Sequence, residues 1–416
     1  MTPAASSALI TNDAVILGLL AVTLGAVFWT ASRPSGFWHK FYSYVPALLM
    51  CYLVPAIFNT VGLIDSSGSG LYPMARDYLL PSALVLFCVA MDFGAIVRLG
   101  PKALIMFLTG TVGVMLGAVI SLVAIGIIHP PTVGGETWRG MTTIAGSWIG
   151  GGANQAAMKE VFQVDANLFG QFIAVDVIVA YFWMAILLFL APRAKAFDRW
   201  TGADASAIEN LQQRMASYQA EHERVPSMSD LMLIFAAGIG LTGLSHLLAD
   251  PLVAWVQSLP AAWNLQDYSL DSRFFWIVVF ATTFGVLLSL TRARRLEGAG
   301  ASNIGSVMLY VLIATIGMQM DLKSVVDRPM LLLLGVIWIS VHAALMLGVA
   351  KLIRAPLFFL AVGSQANIGG AASAPVVASA FHPALAPVGV LLAVLGYALG
   401  TYCAYITGLM LQAIAT

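Results

Sequence analysis

Two glycine-rich stretches contain the side chains of this sequence that are best suited to binding chemistry. The first reads GSWIGGGANQAA from Gly146 to Ala157, and the second reads GSQANIGGAASAP from Gly363 to Pro375. Each places several Gly beside Ser, Asn and Gln within an apolar segment, and each helical Gly costs about 1 kcal/mol relative to Ala. We therefore expect each segment to break into two half-helices, whose free ends and polar side chains could hold a solute.

The candidate solute-binding residues are the glycines, hydroxyls and amides of these two stretches. They are Ser147, Gly150, Gly151, Asn154, Gln155, Ser364, Gln365, Asn367, Gly369, Gly370 and Ser373. Neither stretch contains Lys or Arg, so the N-termini of the half-helices would have to hold the charge of an anionic or zwitterionic solute. The alternative is that the small residues only allow helices to pack closely, as in a GxxxG seam.

Asp176 is the predicted ion-coupling residue. It lies roughly 12 Å into the sixth apolar segment at 1.5 Å per residue, a depth at which a carboxylate is costly without a partner. Its helix directly follows the first glycine stretch, so we expect the carboxylate to face that break and to bind a proton or Na⁺. The second half has no acid at the equivalent place. The alternative is a carboxylate that only hydrogen-bonds a neighbouring helix, and no cofactor other than Na⁺ is expected.

The composition predicts an all-α polytopic membrane protein. Of the 416 residues 60% are apolar and 10% are charged, against roughly 45–50% and 25% in soluble domains. Lys plus Arg balance Asp plus Glu at 20 each, which excludes a basic surface for nucleic acid. Backbone groups in lipid must be paired internally, so the apolar segments are helices. The twelve segments are 14–32, 44–64, 78–97, 103–128, 138–163, 168–191, 229–248, 273–291, 303–321, 330–353, 355–381 and 384–414.

The two halves of the chain resemble each other, which predicts two structural repeats. Met91-Asp92 and Met320-Asp321 each precede a short basic turn and a proline, and the two glycine stretches follow in the same order. We assign residues 1–192 to the first repeat, 193–228 to a polar linker and 229–416 to the second repeat.

The distribution of Lys and Arg predicts that the repeats are inverted. If the basic residues of both halves lie on the cytoplasmic side, the two Met-Asp turns lie on opposite sides of the membrane. Six full crossings per half would instead make the repeats parallel. We therefore expect about 10 to 13 membrane segments, with 138–163 and 355–381 as the segments that do not cross simply.

The same motifs resemble a known family. GSWIGGGANQAA followed by the helix of Asp176, and GSQANIGGAASAP followed by VLGYALGTY at Val394 to Tyr402, resemble the YjcL-like polytopic membrane proteins, which have no assigned function. The likeness covers nearly the whole chain. More distantly, the Met-Asp turn, the proline-led helix and the glycine break resemble the bile-acid/sodium symporter and sodium/proton antiporter superfamily.

The distant resemblance implies a core domain with two crossing broken helices that moves against a panel domain. It assigns 14–64 and 229–291 to panel helices and 78–191 and 303–414 to core helices, and it implies a homodimer in the inner (plasma) membrane. Antiporters of this fold often carry an acidic pair after the first break, whereas Val175-Asp176-Val177 has one carboxylate, which favours symport.

We therefore expect a secondary transporter that couples Na⁺ or H⁺ to symport of a small organic solute by an elevator-like, alternating-access movement. A sodium/proton antiporter without organic substrate is the alternative, and a solute sensor of the same shape is another. An enzyme is not expected, because the sequence lacks HExxH, GxSxG and a Ser/Lys pair in mid-membrane.

Overall fold

The structure is a computed structural model that describes residues 9–415 except 65, 67, 204–207, 209–210, 212–224, 261–264, 266–267 and 321–327. The described residues form helices and one isolated bridge, between Ile10 and Ile64. Within the described residues, six helices are long and apolar enough to cross a membrane, which confirms the all-α polytopic fold class. Asp321 and most of the predicted linker lie outside the described residues.

The helices follow one another with short connections. In the first half they are α1 (Asp13–Ala31), α2 (Phe37–Tyr44), α3 (Ala47–Thr60), α4 (Leu71–Met74), a π-helical turn (Ala75–Leu79), α5 (Leu80–Val89), α6 (Phe93–Arg98), α7 (Pro101–Ile128), α8 (Pro130–Val133), α9 (Thr137–Val161), α10 (Ala166–Leu190) and α11 (Ala194–Thr201). In the second half they are α12 (Met228–Gln257), α13 (Arg273–Ser289), α14 (Ala301–Gly317), α15 (Met330–Leu352), α16 (Leu357–Ile368), α17 (Gly370–Ser379) and α18 (Ala386–Ala415).

The long helices pack into two bundles. The panel bundle contains α1, α3, α5, α12, α13 and α14, and the core bundle contains α7, α9, α10, α15, α16, α17 and α18. The third and ninth segments, which the distant resemblance assigns to the core, correspond to α5 and α14, and α5 packs against α12, α13 and α14. Small residues explain this: a Cβ on Gly285 would lie 2.8 Å from the Val85 carbonyl oxygen, and one on Gly305 would lie 3.4 Å from that of Ala83. Close backbone approach therefore fixes α5 against α13 and α14.

Each broken segment turns back on itself. The Arg139 Nη1 atom at the start of α9 donates to the Phe162 carbonyl just after its end, at 2.8 Å. At the second break the rings of Phe358 and Phe381 lie 5.4 Å apart between centroids, although α16 and α17 separate them. We name Thr137–Val161 hairpin 1 and Leu357–Ser379 hairpin 2.

The two bundles meet along α18 and α9. The ring of Tyr397 in α18 stacks on Phe87 in α5 with centroids 4.4 Å apart. Further along α18, the Thr401 hydroxyl lies 3.0 Å from that of Thr282 in α13. This seam joins the bundles through rings and hydroxyls.

Candidate functional site

The tips of the two hairpins touch. Gly151 has φ 75° and ψ −175°, and Gly370 has φ 58°, both in regions that favour glycine. A Cβ atom on Gly370 would lie 3.8 Å from the Gly151 Cα atom. The second arms of both hairpins begin here, so their unpaired N–H groups and the positive ends of their dipoles lie close together. Gly151 and Gly369 are half-buried, which leaves the tips partly accessible.

Asp176 in α10 joins the two arms of hairpin 1. Its Oδ1 atom accepts from Trp148 Nε1 at 2.6 Å. Its Oδ2 atom accepts from Ser147 Oγ at 2.6 Å and from Gln155 Nε2 at 2.9 Å. Ser147 and Trp148 precede the break and Gln155 follows it, so one carboxylate, itself 7% exposed, holds both arms.

These three contacts determine which ion Asp176 could accept. Within the part of the chain that the structure describes, no Lys, Arg or His bonds to the carboxylate, whose partners are neutral donors. A proton on Oδ2 needs only that the Ser147 hydroxyl rotate to accept it. Na⁺ needs oxygen ligands, so the Gln155 amide would also have to turn over. The sequence predicts either a proton or Na⁺ at Asp176, and a proton would require fewer rearrangements of these contacts.

Asn154 fastens hairpin 1 to α18. Its Nδ2 atom donates to the carbonyls of Gly150 and Tyr397, both at 2.9 Å. Its Oδ1 atom accepts from the Thr401 hydroxyl at 2.7 Å. The side chain is fully buried, and both amide hydrogens are occupied.

Asn367 fastens hairpin 2 to α7 in the same way. Its Nδ2 atom donates to the carbonyls of Gly363 and Phe107, both at 2.9 Å. Its Oδ1 atom accepts from the Thr111 hydroxyl at 2.8 Å. Both asparagines were predicted to bind solute, but their hydrogen bonds are to the protein, so in this conformation they position the hairpins.

His342 anchors hairpin 2 to α15. Its Nδ1 atom lies 3.0 Å from the Gly110 carbonyl oxygen and therefore carries the proton of that bond. Its Nε2 atom lies 2.8 Å from Ser364 Oγ, which also accepts from Trp183 Nε1 at 2.8 Å. The imidazole is fully buried.

Gln365 and Ser373 join the two arms of hairpin 2. The Gln365 Nε2 atom donates to Ser373 Oγ at 2.8 Å. The Gln365 Oε1 atom is buried and has no hydrogen-bond partner among the described residues. A buried acceptor without a donor is costly, and this oxygen is the buried side-chain atom of the predicted set that has no partner among the described residues.

A four-spaced glycine stripe on α18 supports both hairpins. A Cβ atom on Gly396 would lie 2.7 Å from the Ile149 carbonyl oxygen of hairpin 1 and 3.6 Å from the Ala366 carbonyl oxygen of hairpin 2. A Cβ on Gly400 would lie 2.5 Å from the Gly150 Cα atom. The stripe therefore serves close packing, because any side chain here would displace backbone.

Lys159 and Glu160 form a buried network at the end of hairpin 1. Their side chains are only 7% and 13% exposed. Lys159 Nζ donates to Glu160 Oε1 at 2.7 Å and to the Tyr72 hydroxyl at 2.5 Å, and that hydroxyl also bonds to Glu160. Arg76 Nη1 lies 3.8 Å from Glu160 Oε2. The contacts of Tyr72 and Arg76 show that α4 and the π-helical turn cover this end of α9.

The predicted residues fall into two groups. Gly150, Gly151, Gly369 and Gly370 lie at the tips, whereas the polar residues lie along the arms. Sequence reasoning missed His342, Thr111 and Thr401. A histidine in the middle of an apolar segment was a usable signal for the first, while the threonines carry none without knowledge of which helices touch.

Comparison with known proteins places the chain in a family. A family model described as "Protein of unknown function (DUF819)" matches residues 18–414. The chain belongs to the DUF819 family. It is also similar to the "Uncharacterized membrane protein YjcL" of Bacillus subtilis (strain 168), at 25% identity over 375 residues, which cover 87% of this chain and 89% of that protein.

The match to DUF819 includes both hairpins and Asp176, because it extends over both halves of the chain. The YjcL protein is a membrane protein by its name, which agrees with the apolar helices of this DUF819 member.

Proposed function

We propose that this protein is an ion-coupled secondary transporter that moves a small anionic or zwitterionic solute by alternating access of the core bundle against the panel bundle. The observation that carries the proposal is the contact of two hairpin tips, Gly151 and Gly370, beside a buried carboxylate. Paired interrupted helices that meet within a membrane protein are typical of carrier binding sites.

The hairpins lie at opposite ends of α10, which supports inverted repeats. Helix α10 begins just after hairpin 1 and has 25 residues, a length of about 38 Å at 1.5 Å per residue. Beyond its other end, Asp198 Oδ1 accepts from the Leu357 N–H at the start of hairpin 2, at 2.8 Å. A helix of that length crosses the roughly 30 Å hydrocarbon layer. The hairpins therefore enter from opposite faces in our proposal, and their tips meet near the middle.

The solute class follows from the charges at the tips. The second arms present N-terminal N–H groups there, which favour a negative group. Gln365 Oε1 is an acceptor without a partner among the described residues, which favours a donor on the same solute. A molecule with one anionic group and one hydrogen-bond donor satisfies both, and Asp176 supplies the coupled proton site.

Uptake by purified protein in proteoliposomes tests this proposal. Labelled amino acids and small carboxylates should accumulate when a pH or Na⁺ gradient is imposed and equilibrate without accumulation when it is absent. Failure of every solute to accumulate under either gradient would contradict symport.

A sodium/proton antiporter is the second candidate, because Asp176 bonds to neutral donors alone among the described residues. An imposed Na⁺ gradient would then change the internal pH of the same liposomes without added solute. Our proposal predicts no such change until the solute is present.

A further inference from the structure

A cavity of about 570 Å³ lies at the base of hairpin 1, away from the tips. Core residues Lys159, Glu160 and Gln163 form one wall, and Arg76 of the π-helical turn and Arg273 of α13 form the panel wall. We name it the base cavity. Because its two walls come from different parts of the fold, the base cavity lies on the boundary across which the two bundles would move.

Irregular backbone is concentrated at this cavity. Arg76 and Asp77 lie on the π-helical turn Ala75–Leu79, and such turns inside helices are frequent at functional sites. Gln163 has φ 51°, an unusual value for a residue other than glycine. A π-helical turn and a residue with positive φ thus line the same space.

The charges of the cavity are balanced and can exchange partners. Its wall contains the cations Arg76, Lys159 and Arg273 and the acids Asp77, Glu160 and Asp271. Lys159 Nζ bonds to Glu160 Oε1 at 2.7 Å, and Arg76, whose Nε and Nη2 atoms donate to Asp77, places its Nη1 atom 3.8 Å from Glu160 Oε2. A ligand carboxylate could replace Glu160 as their partner, but it would add an uncompensated charge unless the ligand also carried a cation for Glu160. A zwitterion meets both requirements.

The cavity also has an apolar side. Phe274 and Ile277 of α13 line it together with Val164. An apolar group on the ligand, in addition to its two charged groups, would cover these side chains. The lining therefore suits an amino acid with a hydrophobic side chain.

We propose that the base cavity is a binding site for a small zwitterionic amino acid, whose carboxylate binds Lys159 and Arg76 and whose ammonium group binds Glu160. Binding redirects Glu160 and so opens the link between hairpin 1 and the panel. The role of this site in solute entry rests on the proposed transport function, whereas its ability to bind the amino acid does not.

Protection of an introduced cysteine tests the site without any transport assay. Gln163→Cys places a thiol at the exposed edge of the cavity, in a background in which Cys51, Cys88 and Cys403 are replaced by Ala. The probes are leucine, 4-methylpentanoate, which lacks the amino group, and 3-methylbutylamine, which lacks the carboxylate. We expect saturating leucine to slow maleimide labelling at least about tenfold. Each of the other two probes should slow it less than twofold, because a probe with one charged group leaves the other charge of the site without a partner.

Charge variants assign the two ends of the ligand. Lys159→Gln should abolish protection by leucine, while Lys159→Arg, which keeps the charge, should retain it and so controls for folding. Glu160→Gln should weaken protection by leucine and strengthen protection by 4-methylpentanoate. Arg292→Gln, an exposed arginine elsewhere in the chain, is the matched control and should leave protection unchanged.

Equal protection by the three probes, no protection by leucine, or full protection in Lys159→Gln would each overturn the site. Protection as expected without uptake in proteoliposomes would remove the transport function and keep the binding site. Uptake without protection would remove the binding site and keep the transport function.

Discussion

The two hairpins share a design and differ in charge. Each has a glycine tip, a side-chain bridge between its arms, and an asparagine that binds a carbonyl four residues earlier and a neighbouring helix. Hairpin 1 is held by the carboxylate of Asp176, whereas hairpin 2 is held by His342 and Ser364. In the proposed function, this difference assigns ion coupling to hairpin 1 and leaves hairpin 2 to contribute shape and one acceptor, Gln365 Oε1.

The largest effect should come from the residue that distinguishes the hairpins. Asp176→Asn keeps the shape of the side chain but removes the charge that three donors share, so we expect coupled uptake to fall roughly 10- to 100-fold, as 1.5–3 kcal/mol implies. The measurement is gradient-driven uptake in proteoliposomes. Asp165→Asn, at the exposed N-cap of the same helix, is the control, because Asn caps a helix as well as Asp.

His342→Gln is the corresponding test for hairpin 2, which His342 contacts from α15. It should lower uptake without changing the dependence on pH or Na⁺, because we assign that residue no ion. A changed ion dependence in this variant, or an unchanged one in Asp176→Asn, would contradict the division between the hairpins.

The asparagines test what the hairpins share. Asn154→Ala and Asn367→Ala each remove three buried hydrogen bonds, two to carbonyls and one from a threonine hydroxyl, at a cost of about 2 kcal/mol of unfolding free energy. Thermal unfolding in detergent should show similar losses for the two variants. If one loses solute affinity while its stability stays at the wild-type level, that asparagine binds solute after all.

The tips should respond unequally to alanine. Gly151 combines φ 75° with ψ −175°, a conformation essentially restricted to glycine, so Gly151→Ala should cost about 2 kcal/mol. Gly370→Ala, at φ 58°, should cost about 1 kcal/mol. Gly135 also has a positive φ but lies outside the hairpins, so Gly135→Ala separates backbone strain from effects on uptake.

The smallest change in stability should come from Gln365→Met. It removes one hydrogen bond to Ser373 but also the unpaired buried Oε1 atom, so the unfolding free energy should stay within about 1 kcal/mol. Solute affinity, measured by competition for uptake, should fall if that oxygen binds the solute. Wild-type affinity would show that the acceptor has no such role.

Sequence reasoning located the breaks because glycine is costly inside a helix, and it located Asp176 because a carboxylate is costly in lipid. It did not establish that the arms reverse, since apolar periodicity is the same for a kinked span and for a hairpin. The contact of Arg139 with the Phe162 carbonyl is what distinguishes them. The burial of Lys159 and the packing of α5 depend on helices distant in sequence, which a local pattern does not encode.

Gly396 has a consequence for how the chain can vary. Its missing side chain leaves room for a carbonyl from each hairpin, and those hairpins come from different halves of the chain. A substitution that one hairpin could accommodate must also suit the other. Both halves of the chain therefore restrict which residue can replace Gly396 during evolution.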